Sequence, residues 1–142
     1  MGHAARRLVL VVDDDPVLHR AMVSLLEAMD FEVLGAFHYE SAIQHLAART
    51  PQLVCVDVGL PTQSGYELCE YIRGPLGLTT VSILMTCDSG LPEDMASAEE
   101  AGANAFLKKP FSMYQLTTYV EALVDRERRE RRSEPFMHRL LV

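Results

Sequence analysis

The amino-acid sequence predicts an α/β chain, a doubly wound five-stranded parallel sheet covered by helices on both faces. Apolar runs of strand length alternate with helical stripes along the chain, and right-handed crossovers turn that order into a parallel sheet. The runs are continuous rather than alternating, which suits strands buried on both faces. One of them, Leu53 to Val56, closes on a carboxylate, Asp57, and Gly59, Pro61 and Gly65 interrupt regular structure behind it. Charge at the carboxyl end of a buried parallel strand is where open α/β sheets place their chemistry.

The first strand is Leu8 to Val12, ended abruptly by Asp13, Asp14 and Asp15. Pro16 suits the first turn of a helix, where its missing N–H costs nothing. Leu18, Met22, Leu25 and Met29 then recur at helical spacing. Phe31 to Leu34 reads as a short second strand limited by Gly35, and Tyr39 to Ala48 as a helix with Ala42, Ile43, Leu46 and Ala47 inward. Pro51 stops that helix. After the third strand, residues 53–57, a helix over Gly65 to Arg73 carries Leu68, Cys69 and Ile72 inward. Val81 to Met85 is the fourth strand and ends at Thr86. The helix from Pro92 to Ala101 is only weakly amphipathic and predicts a loose seat on the sheet, with Gly102 as its C-cap. Ala105 to Lys108 is the fifth strand. The last helix opens on Ser112 and Gln115, a capping-box spacing, with Met113, Leu116, Val120, Leu123 and Val124 as its stripe.

At 142 residues, with 49% hydrophobic and 23% charged residues, the chain suits one compact domain. Residues 1–7 read as an extension or tag remnant and residues 8–125 as the folded domain. Residues 126–142 form an arginine-rich extension of the last helix or a linker, alternatively a coupling or dimer-forming helix leading to another module. A net charge of −7 argues against nucleic acid as a direct partner. No apolar run approaches the ~20 residues of a membrane span, and the N-terminus carries no signal-peptide stretch. Cys55, Cys69 and Cys87 follow no ligand spacing and read as free thiols of a cytoplasmic protein.

In such a sheet Asp13, Asp14, Asp15, Asp57, Thr86 and Lys109 all fall at strand carboxyl ends. Taken singly, each has an ordinary reading: Asp15 as a helix cap, Thr86 as a strand-end hydroxyl, Lys109 as a solvated lysine. Their joint placement at one sheet edge points to a site. Clustered carboxylates repel one another unless a cation offsets them. Hard oxygen ligands without a His or Cys cluster suit Mg²⁺, and the set fits phosphoryl chemistry.

The segments LVLVVDDDP, LVCVDVGLPTQSGYEL, SILMTCDS and GANAFLKKPF, in that order, resemble the receiver domain of bacterial two-component response regulators over roughly residues 8 to 125. The resemblance implies a flavodoxin-like sheet of strand order 2-1-3-4-5. It implies that Asp57 takes a phosphoryl group from a sensor histidine kinase or phosphotransfer protein, with Mg²⁺ held by Asp13, Asp14, Asp57 and the Gly59 carbonyl. Thr86 and Lys109 would contact the phosphoryl group, Phe106 would act as the aromatic switch, and the Lys109–Pro110 peptide would be cis. The response would remodel the face of the fourth helix, fifth strand and fifth helix, for a partner, a homodimer or an attached effector. Such a chain is a phosphoacceptor with slow self-dephosphorylation rather than an enzyme. Cys87 stands where the family often has Ala, Ser64 where an acidic residue is common, and Gly59 and Asp88 occupy the positions that tune phosphoryl lifetime. Two other readings remain open. One is a phosphorylation-independent pseudo-receiver that only binds partners. The other is an aspartate-nucleophile phosphatase, which would need a second acid where Gly59 stands.

Overall fold

The computed structural model describes residues 7–128. Of the extension expected over residues 1–7 only Arg7 is described, and it belongs to the first strand. Of the arginine-rich tail expected over residues 126–142 the last helix takes in the first three, the rest lying outside the described residues. The elements are β1 (Arg7–Val12), α1 (Pro16–Ala28), β2 (Phe31–Ala36), α2 (Tyr39–Ala48), β3 (Leu53–Asp57), α3 (Gly65–Arg73), β4 (Ser82–Cys87), α4 (Pro92–Ala101), β5 (Ala105–Lys108) and α5 (Met113–Arg128). The sheet is wholly parallel, in the order β2-β1-β3-β4-β5.

Side-chain alternation divides the core in two. Leu10, Val12, Val54, Val56, Ile83, Met85 and Phe106 pack on one face with residues of α2, α3 and α4. Val9, Val11, Leu53, Cys55, Leu84 and Leu107 pack on the other with α1 and α5. Each fully buried aliphatic side chain contributes roughly 1.5–3 kcal/mol. The three cysteines are free and buried, and burial pushes the Cys55 and Cys69 thiols to about 12.

Three sequence expectations are corrected. The buried centre of α1 is His19, Met22 and Leu26, with Leu18, Leu25 and Met29 packed along its flanks. A polar residue occupies the middle of an apolar face because its own hydrogen bond satisfies it. In β2, Gly35 does not limit the strand, which runs on to Ala36. A side chain at Gly35 would place its Cβ 2.6 Å from the His19 ring. In α2, Ala42 and Leu46 are buried and Ile43 is half-buried, whereas Ala47 is exposed.

Helix termini follow their chemistry. The Asp15 carboxylate caps α1, accepting from the N–H groups of Val17 at 3.0 Å and Leu18 at 3.4 Å. Ser64 and Glu67 make a reciprocal capping box on α3, and Ser112 and Gln115 do the same before α5. Gly102 closes α4 with φ 108°, a left-handed conformation that a side chain would strain. The sparse apolar face of α4 buries Ala98 and Ala101.

Far from the strand carboxyl ends, Arg73 gathers the loops of the opposite edge. Its guanidinium donates to the carbonyls of Gly102 at 2.9 Å, Leu78 at 2.7 Å and Val81 at 2.7 Å, and to Asn104 Oδ1 at 2.9 Å. Asn104 Oδ1 also accepts from the Ile83 N–H. A planar fork can meet several acceptors at once; an ammonium cannot. Arg73→Ala is expected to cost about 2–4 kcal/mol in urea denaturation, with Arg73→Lys recovering only part of the loss.

Candidate functional site

Strand register assembles the carboxylates. Val12 pairs with Val56 and Asp57 with Thr86, so Asp13, one residue beyond β1, comes level with Asp57. Main-chain hydrogen bonds carry the ladder past the strand ends: Asp13 N to Ala36 O at 3.1 Å, Val58 N to Thr86 O at 2.9 Å, Lys109 N to Cys87 O at 2.8 Å. Alternation does the rest. Asp13 continues the face of Val9 and Val11, Asp57 that of Leu53 and Cys55, Thr86 that of Leu84, and Lys109 that of Ala105 and Leu107. Four polar side chains from four strands therefore converge on the α1–α5 side.

Asp13, Asp57 and Thr86 are buried, at 1%, 7% and 1% exposure, while Asp14 is exposed. Carboxylate oxygens of Asp13, Asp14 and Asp57 all lie within 4.8 Å of one another. Lys109 Nζ sits 3.2 Å from Asp13 Oδ2 and 3.1 Å from Asp57 Oδ1. The Thr86 hydroxyl lies 3.5 Å from the same Asp57 oxygen. Burial pushes the Asp57 carboxyl above its usual value, and the Asp13 and Asp14 charges push the same way against Lys109. For Lys109, burial opposes the charge, but Asp57 and Asp13 outweigh it and raise the pKa. An all-oxygen donor set with excess negative charge is what a hard divalent cation requires, so these three residues could hold a metal ion.

The Asp57 backbone is held from behind by Gly65. Its N–H donates to Val58 O at 2.9 Å, and a Cβ there would collide with the Asp57 carbonyl oxygen and lie 3.0 Å from Val58 Cα. Only glycine lets the first turn of α3 approach so closely. Gly59 is different: a Cβ there would meet Asp57 Oδ2 at 3.6 Å, an ordinary contact. Beside Lys109 an open cleft of about 350 Å³ is lined by Asp15, Leu18, Asp88, Pro110 and Phe111. A larger concavity of about 670 Å³ lies near Arg7, Arg49 and Gln52, away from the carboxylates.

The remaining sequence candidates are placed as follows. Phe106 is buried among the residues facing α4, and the Lys109–Pro110 peptide is cis. Cys87, next in sequence after Thr86, lies across the sheet with Met85 and Phe106; its Sγ accepts from the Ser89 N–H at 3.4 Å. Sequence reading missed His19, whose Nδ1 lies 3.0 Å from the Asp13 carbonyl oxygen. Its signal was a polar residue six positions after Asp13 on an otherwise apolar face.

A parallel 2-1-3-4-5 sheet with acids, a hydroxyl and a lysine at its carboxyl edge defines a class of signalling domain, and the comparisons name it. Residues 9–121 match the model of the response regulator receiver domain, and the chain belongs to that family. It is 33% identical over 119 residues to the transcriptional regulatory protein KdpE of Mycobacterium tuberculosis, covering 84% of this chain and 51% of that one. It is 28% identical to the phosphate regulon transcriptional regulatory protein PhoB of Escherichia coli, covering 84% and 52%. The chain thus spans about half the length of the curated relatives it matches. Among solved structures, a CheY-like receiver domain protein from Methanospirillum hungatei superposes with TM-score 0.82 at 24% identity, over 89% of this chain and 100% of that one. CheY4 of Vibrio cholerae gives 0.79 at 24%, over 84% and 99%. These two establish the fold. No described helix is long and apolar enough to cross a membrane.

Two expectations follow. Gly65→Ala costs about 1–3 kcal/mol in urea denaturation because the Asp57 backbone has no room to yield, whereas Gly59→Ala stays within about 0.5 kcal/mol. Metal-free Asp57→Asn melts roughly 2–5 °C above the wild type at neutral pH. The folded-state pKa of Asp57 is raised, so its favourable contribution is complete below the unfolded-state carboxylate pKa and is lost as pH rises through the folded value. The gap in Tm between variant and wild type, followed by calorimetry, should therefore be smallest in acid and widen towards neutrality.

Proposed function

We propose that the chain is a phosphorylation-activated signalling switch in which Asp57 accepts the phosphoryl group. The observation that carries this reading is the convergence of Asp13, Asp14 and Asp57 oxygens within 4.8 Å, with Lys109 bridging two of them. Mg²⁺ is the ion assigned, held by Asp13, Asp14, Asp57 and the Gly59 main-chain carbonyl; when bound, it offsets charge on the phosphoryl oxygens.

The donor is a phosphohistidine of a sensor histidine kinase or phosphotransfer protein. A carboxylate oxygen of Asp57 forms the new P–O bond as the P–N bond breaks, and the donor imidazole, already protonated on its other ring nitrogen, takes the P–N electron pair and leaves neutral. Lys109, charged and close to Asp57, pairs with the incoming phosphoryl oxygens. Thr86, already 3.5 Å from the carboxylate, donates its hydroxyl to the product. Contacts made only with the phosphoryl group bias a second arrangement of the loop after β4 and of Phe106. The α4-β5-α5 face then presents a changed surface to a partner, a second copy or an attached effector. Slow self-dephosphorylation is the expectation, and Gly59 and Asp88 stand at the two positions that would tune it.

Gly59 weighs against a phosphomonoesterase. A pseudo-receiver is disfavoured because all five core polar positions, Asp13, Asp14, Asp57, Thr86 and Lys109, are present. The test is incubation with Mg²⁺ and a small acyl or amido phosphate, followed by intact-mass analysis. The expected result is one hydroxylamine-labile adduct that requires Mg²⁺ and is absent from Asp57→Asn. A folded wild type without an adduct supports the pseudo-receiver, and sustained turnover of phosphomonoesters supports the hydrolase.

A further inference from the structure

Asp13 is fixed from four directions. Its N–H donates to Ala36 O at 3.1 Å, its Oδ1 accepts from the Asp15 N–H at 2.9 Å, and its Oδ2 faces Lys109 at 3.2 Å. The fourth hold is unlike the others, because it comes from a side chain with no place in the carboxylate cluster. His19 Nδ1 lies 3.0 Å from the Asp13 carbonyl oxygen. A carbonyl only accepts, so Nδ1 carries the proton and donates.

Neighbouring residues are shaped around this ring. His19 is buried at 7% exposure in the centre of the inward face of α1, a position an aliphatic residue would fill at no polar cost. The strand beside it carries Gly35, where a Cβ would sit 2.6 Å from Nε2. Glycine inside a strand weakens it and marks a close approach. Phe37, 48% exposed, stacks on the imidazole with centroids 4.2 Å apart and planes at 20°. Gly35 makes room for the ring and Phe37 covers it.

We propose that His19 is a positioning residue for the metal site: its Nδ1–H fixes the Asp13 peptide and so the aim of the Asp13 and Asp14 carboxylates. The proposal rests on the reading that these residues hold Mg²⁺. Without the donor, the Asp13 carbonyl loses its side-chain partner and the β1–α1 turn that sets both carboxylates gains freedom. Groups that orient metal ligands typically influence affinity by about 10–100-fold.

The test is Mg²⁺ affinity by isothermal titration on the wild type, His19→Leu, His19→Asn and Gly35→Ala, with folding checked by circular dichroism. His19→Leu keeps volume but loses the donor and should bind about tenfold more weakly. His19→Asn offers an amide N–H near the Nδ1 position and should recover most of that loss. Gly35→Ala touches no carboxylate, yet should weaken binding by displacing the ring, with no further effect when added to His19→Leu. Should His19→Leu be unfolded, the Asn and Gly35→Ala variants carry the test. Unchanged Mg²⁺ affinity in His19→Leu or Gly35→Ala would make His19 a packing residue only and overturn the proposal. A wild type that binds no Mg²⁺ overturns the metal reading itself, and this inference with it.

Discussion

Three carboxylates are crowded at one sheet edge, two of them buried, and a single lysine stands against two of the three. That electrostatic tension organises the rest of the molecule. Buried like charges raise one another's proton affinity and oppose folding, so their persistence requires a frame that cannot relax them apart. The parallel ladder supplies it, extended beyond the strand ends by the main-chain bonds of Asp13, Val58 and Lys109. Gly65 braces the Asp57 backbone from behind, and the Asp15 cap ties the acidic turn to α1. A cation or a phosphoryl group at this edge changes the charge balance that the frame holds under strain.

The sheet also places the carboxylate cluster and Phe106 on opposite faces. Asp57 and Thr86 face α1 and α5, whereas Cys87, Met85 and Phe106 face α3 and α4. Thr86 and Cys87 are successive residues of one strand pointing to opposite sides, so a displacement of Thr86 in the proposed switch displaces Cys87 as well. Cys87 Sγ accepts from the Ser89 N–H. The Ser89 hydroxyl bonds Asp94 Oδ2 at 2.6 Å, and Tyr66 bonds the Asp94 carbonyl at 3.3 Å. A continuous chain of polar contacts thus runs from the strand end to the first turn of α4. That helix buries little besides Ala98 and Ala101, and few buried contacts mean a low local cost of movement.

Much of this was legible in the sequence because the signals were local. Continuous apolar runs closed by acids marked β1 and β3, Pro16 and Gly102 marked helix ends, and the order of strands and helices implied a parallel sheet. The parallel order also placed Asp13, Asp57 and Lys109 at one edge of the sheet. What escaped depended on partners distant along the chain. His19 reads as a break in the α1 stripe until the Asp13 carbonyl and Gly35 come beside it, so the stripe appeared rotated by one position. Gly35 itself looked like a strand terminator. Arg73 was legible only as the end of a helix, because its acceptors lie from five to thirty-one residues away.

KdpE and PhoB match this chain over only about half of their own length, and Asp57 lies inside the receiver-domain match over residues 9–121. The decisive measurement is to phosphorylate the protein with a small phosphodonor and Mg²⁺, reduce it with borohydride and locate the modified residue by tandem mass spectrometry. Reduction converts an aspartyl phosphate into homoserine. The account predicts homoserine at position 57 alone; homoserine at another position, or none in a folded and donor-treated protein, would contradict it.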